Sequence, residues 1–238
     1  MKLPSLPDLI LFENDDFLIL NKPPLLASLD ERAGTAPNML RLVRQTYPDA
    51  QLAHRLDKET SGCLAVARHP AAYRHLSMQF EAHTVRKLYH AVANGVHQFE
   101  DEEVARSIEV SPRGGKARLA YNGKESLTIL NTMETFRRHT LVACQPVTGR
   151  MHQIRLHLLY KNAPIVGDML YGAEPLYLSS LKRHFKLAQG TEEQPVIQRF
   201  ALHAHDLIFE GMNGEEIHAT APYPKDFGVL VKLLRQYA

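Results

Sequence analysis

Residues 54–62 read HRLDKETSG, with a His, an Arg and an Asp inside four positions, a Thr-Ser-Gly turn behind them, and the apolar run CLAVA next. An Asp with an Arg and a His close by is a set that could do chemistry, and loops held by such buried strands commonly present catalytic groups. For a lone Asp before Gly, the simpler account is a turn in which Asp57 and Thr60 satisfy nearby backbone donors. Further along, GRMHQIRLHL sets Arg155 between Ile154 and Leu156, in a helix apolar on most sides. A buried Arg ordinarily requires a carboxylate partner. KLYHA places Tyr89 in an alternating strand, where a ring can stack on a flat ligand or pack across strands.

The thirteen His suggest metal chemistry by number but not by spacing. His152 and His157 are five apart, unlike a helical zinc pair, and no acid directly follows His152. His203 and His205 could share a strand face, yet no third ligand accompanies them. Satisfied core or surface histidines are the reading these spacings favour. SPRGGKAR is Gly-rich but lacks the order of a phosphate-binding P-loop.

The elements that must position these groups can be read from apolar periodicity. FLILNKPP is a short buried strand stopped by Pro23 and Pro24, followed by a loop, LLASLDERAGTAPN. CLAVAR is a second strand, and HPAAYRHLSMQFEAH a helix with Pro70 near its start and Tyr73, Leu76 and Phe80 on one face. KLYHAVANG alternates toward a Gly stop. SLTILNTM and HTLVACQPV flank the turn ETFRR as a hairpin, and DLIFE, GMNG and EEIHAT form another. GRMHQIRLHLLYKN is a helix ended near Pro164. From Ala173 to Arg199 the chain turns polar, with SSLKRHFKLAQ a short helix, and this stretch is expected to be an insertion at the surface.

With 238 residues and 45% hydrophobic content, the chain can bury one sizeable core, and one domain over 1–238 is expected. Charged residues make up 23%, an ordinary globular balance. Net charge is only +2, so bulk electrostatics does not mark a polyanion binder. Locally, Arg106, Arg113, Lys116, Arg118 and Lys124 form one basic segment and Lys182, Arg183, His184 and Lys186 another, either of which a solvated surface would explain. Cys63 and Cys144 lie in apolar runs as small buried hydrophobes, not as a disulfide framework. Acids interrupt the apolar N-terminus, which disfavours secretion and membrane spanning and leaves the cytoplasm as the expected location.

The string HRLD, two variable positions and TSG resembles the central motif of the RluA-type RNA pseudouridine synthases. FLILNKPP looks like that family's first motif, KLYHA like its Lys-x-Tyr-x-Ala element, and QPVTGRMHQIRLHL like its third. APIVGDMLYG, ALHAHDLIFE and APYPKDF follow in the family's order. The resemblance runs from about Leu11 to the C-terminus. It implies an α+β fold with a central mixed, mostly antiparallel sheet flanked by helices and loops, and a catalytic cleft.

By this resemblance Asp57 is the catalytic aspartate, acting either by attack on the ribose C1′ or by removal of a ribose proton. Arg155 matches the position that pairs with that aspartate and keeps it ionised, and Tyr89 the tyrosine that packs on the target base. Arg55 matches a residue that fills the space left by the extruded nucleotide. His54, Thr60, Lys87 and His152 lie in the same motifs and complete the substrate-binding set. The reaction breaks an N-glycosidic bond and rejoins uracil through C5, which needs no cofactor and no metal. RNA, ribosomal or transfer, is the implied partner, with no obligate protein partner and no membrane, and SPRGGKAR then reads as a basic turn near RNA. The sequence departs from the family after NKPP, where a His-Pro pair is replaced by LLASLDERAG, and it leaves no room for the N-terminal RNA-binding module many relatives carry. A catalytically silent RNA-binding protein on the same fold is the alternative, and a metal hydrolase built on the histidines a weaker one.

Overall fold

The computed structural model describes residues 4–30, 36–111, 115–188 and 190–237. In chain order the elements are β1 (Ile10–Glu13), β2 (Phe17–Lys22), α1 (Met39–Arg44), β3 (Ser61–Ala67), α2 (Pro70–Glu81), β4 (Arg86–Asn94), β5 (Glu102–Ala105), β6 (Ile108–Val110), β7 (Ala117–Leu119) and β8 (Leu127–Thr135). They continue with β9 (His139–Pro146), α3 (Gln153–Tyr160), α4 (Leu178–Leu181), β10 (Leu202–Glu210), β11 (Glu216–Thr220) and α5 (Lys225–Tyr237). The fold is α+β, its strands paired mostly antiparallel. The chain divides into two compact units, Met1–Leu88 with His203–Pro222, and Tyr89–Leu202 with Tyr223–Ala238.

In the first unit β1, β2 and β3 pair antiparallel, β3 pairs β10 in parallel, and β11 returns antiparallel to β10. Every residue of β3 is buried, as a strand covered on both faces requires, which is why SGCLAVA is a continuous apolar run rather than an alternating one. Phe17, Ile19, Cys63, Ala65, Leu76, Leu207, Phe209 and Ile217 make its core. The helix expected after β3 is present as α2. Its first-turn Pro70 needs no N–H partner, and the ring nitrogen Nδ1 of His69 accepts the Ala72 N–H at 3.3 Å.

The Gly of the Thr-Ser-Gly turn has a steric reason. Gly62 has φ +110°, and a Cβ there would lie 2.0 Å from the Ala204 carbonyl oxygen. The parallel contact of β3 with β10, in which Gly62 faces Ala204, therefore excludes any side chain.

In the second unit β4, β9, β8 and β5 lie side by side, all antiparallel, and β6 and β7 form a small hairpin. The β8–β9 hairpin is as the sequence spacing predicts, except that Glu134 and Thr135 extend β8 beyond a register shift, shortening the turn to Phe136, Arg137 and Arg138. Helix α5 falls on APYPKDF and the residues after it, where no helix was assigned from sequence. Its Phe227, Leu230, Val231 and Leu234 recur at helical spacing and bury against Ile154, Leu158 and Phe200.

Two expectations change between Ala173 and Arg199. The helix expected over residues 179–189 is, among the described residues, a single turn, α4. Ala173, Leu176, Ile197 and Arg199 are buried, so both ends of the stretch enter the core and its exposed residues lie between them. Part of the basic turn SPRGGKAR lies outside the described residues, as does part of the loop after NKPP. Among the described residues no helix is long and apolar enough to cross a membrane.

Candidate active site

The loop carrying Asp57 is held by its neighbours. Leu56 is buried, its N–H donates to Ser28 Oγ at 3.1 Å, and its carbonyl accepts the Ser28 hydroxyl at 2.9 Å. One residue past Asp57, the Lys58 carbonyl accepts Lys22 Nζ at 3.1 Å. Lys22 is fully buried and also donates to Pro23 O at 2.9 Å and Leu26 O at 2.8 Å, so one ammonium uses its donors on both the NKPP segment and the aspartate loop. Thr60, itself buried, closes the turn by donating its N–H to Asp57 O at 3.0 Å. The backbone on both sides of the partly exposed Asp57 is thus fixed from beneath, while Arg55 projects from an exposed position.

His54 faces inward. Its Nε2 accepts the Ala65 N–H at 2.9 Å, and its ring stacks on Phe80 at 4.6 Å. Accepting that bond requires a lone pair on Nε2, hence a neutral ring protonated at Nδ1. Burial, helped by the positive charge of Lys87, lowers the His54 pKa to about 3 and enforces that state. Lys87 lies over the same Phe80 ring, with Nζ 5.9 Å from its centre, and burial lowers its pKa to about 8. The structure therefore brings His54 and Lys87 together around one aromatic ring.

In the second unit, Tyr89 sits on β4 opposite Cys144 and packs partly buried against the core. Lys87 and Tyr89 are two residues apart on β4 and so share one face of the strand. Helix α3 begins at His152, which has φ +54°, a left-handed conformation that costs a non-Gly residue about 1–3 kcal/mol. Tyr171 holds it there. The Tyr171 hydroxyl donates to Ala117 O at 3.0 Å, so the 2.8 Å contact with His152 Nδ1 has the ring N–H donating.

Three residues into the helix is Arg155, 4% exposed and paired in a two-bond fork with Asp168, Nε to Oδ2 and Nη2 to Oδ1, both at 2.7 Å. Its guanidinium also lies 4.2 Å from the centre of the Phe200 ring and 4.9 Å from that of Tyr171. Planar delocalised charge suits this geometry, with a carboxylate taking two bonds and two aromatic rings close by. Arg155 and His152 are thus gathered around Tyr171.

Sequence reasoning missed four of these parts. Lys22 and Ser28 anchor the aspartate loop, and Asp168 and Tyr171 hold Arg155. The strings NKPP and GDMLYG contained three of them, but nothing local marked a lysine or an aspartate as buried. The histidines considered as metal ligands are hydrogen-bonded to other groups. His157 reaches Thr128 Oγ1 at 2.8 Å and Ser126 Oγ at 3.1 Å, and His203 reaches Ser61 Oγ and Ala221 O, both at 3.0 Å. Among the described residues, no three His, Cys, Asp or Glu side chains gather as metal ligands would.

Each unit thus holds its candidate residues by itself: the first fixes the loop of Asp57 and keeps His54 neutral, and the second fixes Arg155 in a fork with Asp168. The model of the RNA pseudouridylate synthase family matches residues 16–160. The chain is 34% identical over 238 residues to ribosomal large subunit pseudouridine synthase C of Vibrio vulnificus, and 35% identical over 246 residues to ribosomal large subunit pseudouridine synthase D of Xanthomonas campestris. Each match covers 98% of this chain and 71% of the relative. Among solved structures, the human RNA pseudouridylate synthase domain containing 1 superposes with a TM-score of 0.68 at 25% identity, covering 99% of this chain and 98% of that one. The chain belongs to the RNA pseudouridylate synthase family. It is an isomerase that converts uridine in RNA to pseudouridine.

Proposed function

We propose that Asp57 is the catalytic carboxylate, that Arg155 and Tyr89 act on the same nucleotide, and that the substrate is a uridine of ribosomal large-subunit RNA. The observation that carries this reading is the clamping of Leu56 and Lys58 on either side of Asp57 by buried Ser28 and Lys22. A carboxylate that must meet one carbon of an extruded nucleotide gains most from a backbone that cannot drift. Arg155, held by Asp168 and two rings, carries a permanent positive charge, the kind of group that favours the ionised form of a catalytic carboxylate. Tyr89 stacks on the base, Arg55, Lys87 and His152 contact the substrate, and the inward-facing His54 and Thr60 serve it by shaping the loop that carries Asp57.

By either route open to Asp57, the bond from uracil N1 to ribose C1′ breaks, the base turns, and C5 bonds to C1′. The C5 proton then leaves to solvent and N1 is protonated, so the atoms balance without oxidant or cofactor. Ribosomal RNA is preferred over transfer RNA because the relatives named above act on the ribosomal large subunit. Our reading also has the enzyme work in the cytoplasm, with residues 1–238 serving one catalytic function.

The test uses unmodified large-subunit ribosomal RNA transcripts labelled with tritium at uridine C5. The wild-type protein should release label to water, and Asp57→Asn should release none while keeping the wild-type urea unfolding midpoint. Absence of release by the wild type, with RNA still bound, would favour a silent RNA-binding protein instead.

A further inference from the structure

The second unit has a basic cavity that the catalytic reading does not use. It encloses about 280 Å³ between the β8–β9 turn, the chain around α4, and the end of α5. Phe136, Leu181 and Leu234 form its floor and pack into or against the core. Four exposed cations stand around it, Arg137 and Arg138 from the turn and Lys182 and Arg183 from the segment after α4, with the Ser179 and Ser180 side chains beside them. Among the described residues no carboxylate lies in salt-bridge reach of the four. The nearby acid Glu134 is already engaged by Arg235 at 2.8 Å, whereas Glu193 reaches the rim through the Ser179 N–H at 2.8 Å.

Four like charges gathered on a low-dielectric floor repel one another and focus a positive potential into the concavity, an arrangement that an anion relieves. Burial, and after it the charge of the adjacent Arg138, lowers the pKa of His139 in the cavity wall. Strand register places this cavity away from the aromatic site. His139 pairs with Asn94 and Cys144 with Tyr89, so five residue steps along β4 separate them. At about 3.4 Å per step that is roughly 17 Å, too far for the nucleotide stacked on Tyr89 to fill both.

We propose that this cavity binds a backbone phosphate of the RNA substrate remote from the target uridine, giving the enzyme a second anchor on folded RNA. The proposal rests on the reading of the chain as a synthase acting on structured RNA. Arg, Lys and Ser contacts to phosphate fix register without reading sequence, and recognition of a folded RNA through points far apart in its sequence needs anchors of this kind. It also assigns a role to the basic stretch after α4, which neither the core nor the catalytic set explains.

The experiment measures filter binding of the unmodified ribosomal RNA transcript by the full-length protein between about 50 and about 200 mM salt, where counterion release makes phosphate contacts visible. Two double variants are compared, Arg137→Ser with Arg138→Ser, and Lys182→Ser with Arg183→Ser. Each should raise Kd and KM about three- to tenfold with kcat unchanged, and should lower the slope of log affinity against log salt by about 0.7 per lost contact. Arg137→Lys with Arg138→Lys should restore the slope. Wild-type Kd and slope in both Ser pairs, or a fall in kcat alone, would overturn the proposal. If the wild type binds RNA but releases no tritium, the synthase reading fails while the salt slopes still decide the anchor; if it binds no RNA at all, both fall.

Discussion

Two aromatic assemblies in this enzyme handle buried nitrogen groups in opposite ways. Around Phe80, burial acts on His54 and Lys87 by disfavouring their charged forms, to the point that His54 is neutral at any physiological pH and Lys87 titrates near 8. Around Tyr171 and Phe200, Arg155 cannot yield its proton, and the fold instead supplies it with the buried carboxylate of Asp168. Desolvation penalises charge in both places, and the two regions meet it by surrendering the charge or by pairing it. The first solution makes a site sensitive to pH, and the second makes a fixed charge independent of it.

That contrast can be broken most severely at the paired site. Asp168→Ala removes the buried carboxylate that takes both bonds of the Arg155 fork, and should lower stability by about 3–5 kcal/mol in urea unfolding along with most of the tritium release. If pairing is what holds the region, Asp168→Ala combined with Arg155→Met should unfold less readily than Asp168→Ala alone, though without activity. A double variant no more stable than the single would show that the ion pair is not the governing interaction.

A smaller effect is expected at His54. Its folded pKa of about 3 lies below the ordinary histidine value of 6.5, so its contribution to stability is complete above pH 6.5 and is lost as pH falls toward 3. Urea midpoints of the wild type should therefore decline through that window, and those of His54→Gln should decline less steeply. Equal slopes in the two proteins would remove His54 from the acid response.

Smallest is the effect at Lys87, which is charged below about pH 8 and neutral above it. If its ammonium touches RNA, KM should rise as pH passes through 8, and Lys87→Arg, which keeps its charge, should flatten that rise. A KM profile identical in the two proteins would mean that Lys87 only packs against Phe80.

How much of this was legible beforehand follows the range of the interactions. The strands β2, β3, β4, β8, β9, β10 and β11 and the helices α2 and α3 announce themselves by local periodicity, and the aspartate loop by its motif. Helix α5 carries an equally regular pattern at Phe227, Leu230, Val231 and Leu234, but the expectation stopped at the motif APYPKDF. The reason for Gly62 depends on Ala204, 142 residues away, and no local rule reveals such an approach. Asp168 lies in a turn-like string where an exposed acid is the ordinary outcome, and only the path of α3 makes it the partner of Arg155. Lys22 reads against composition altogether, because lysine is among the residues least often fully buried.

The position of Lys22 has a practical corollary. With its amine enclosed and bonded to Pro23, Leu26 and Lys58 carbonyls, it cannot meet an acylating reagent while those segments stay seated. Its labelling rate under native conditions therefore times the joint release of the NKPP segment and the aspartate loop, turning a single lysine into a clock for the opening of the catalytic floor.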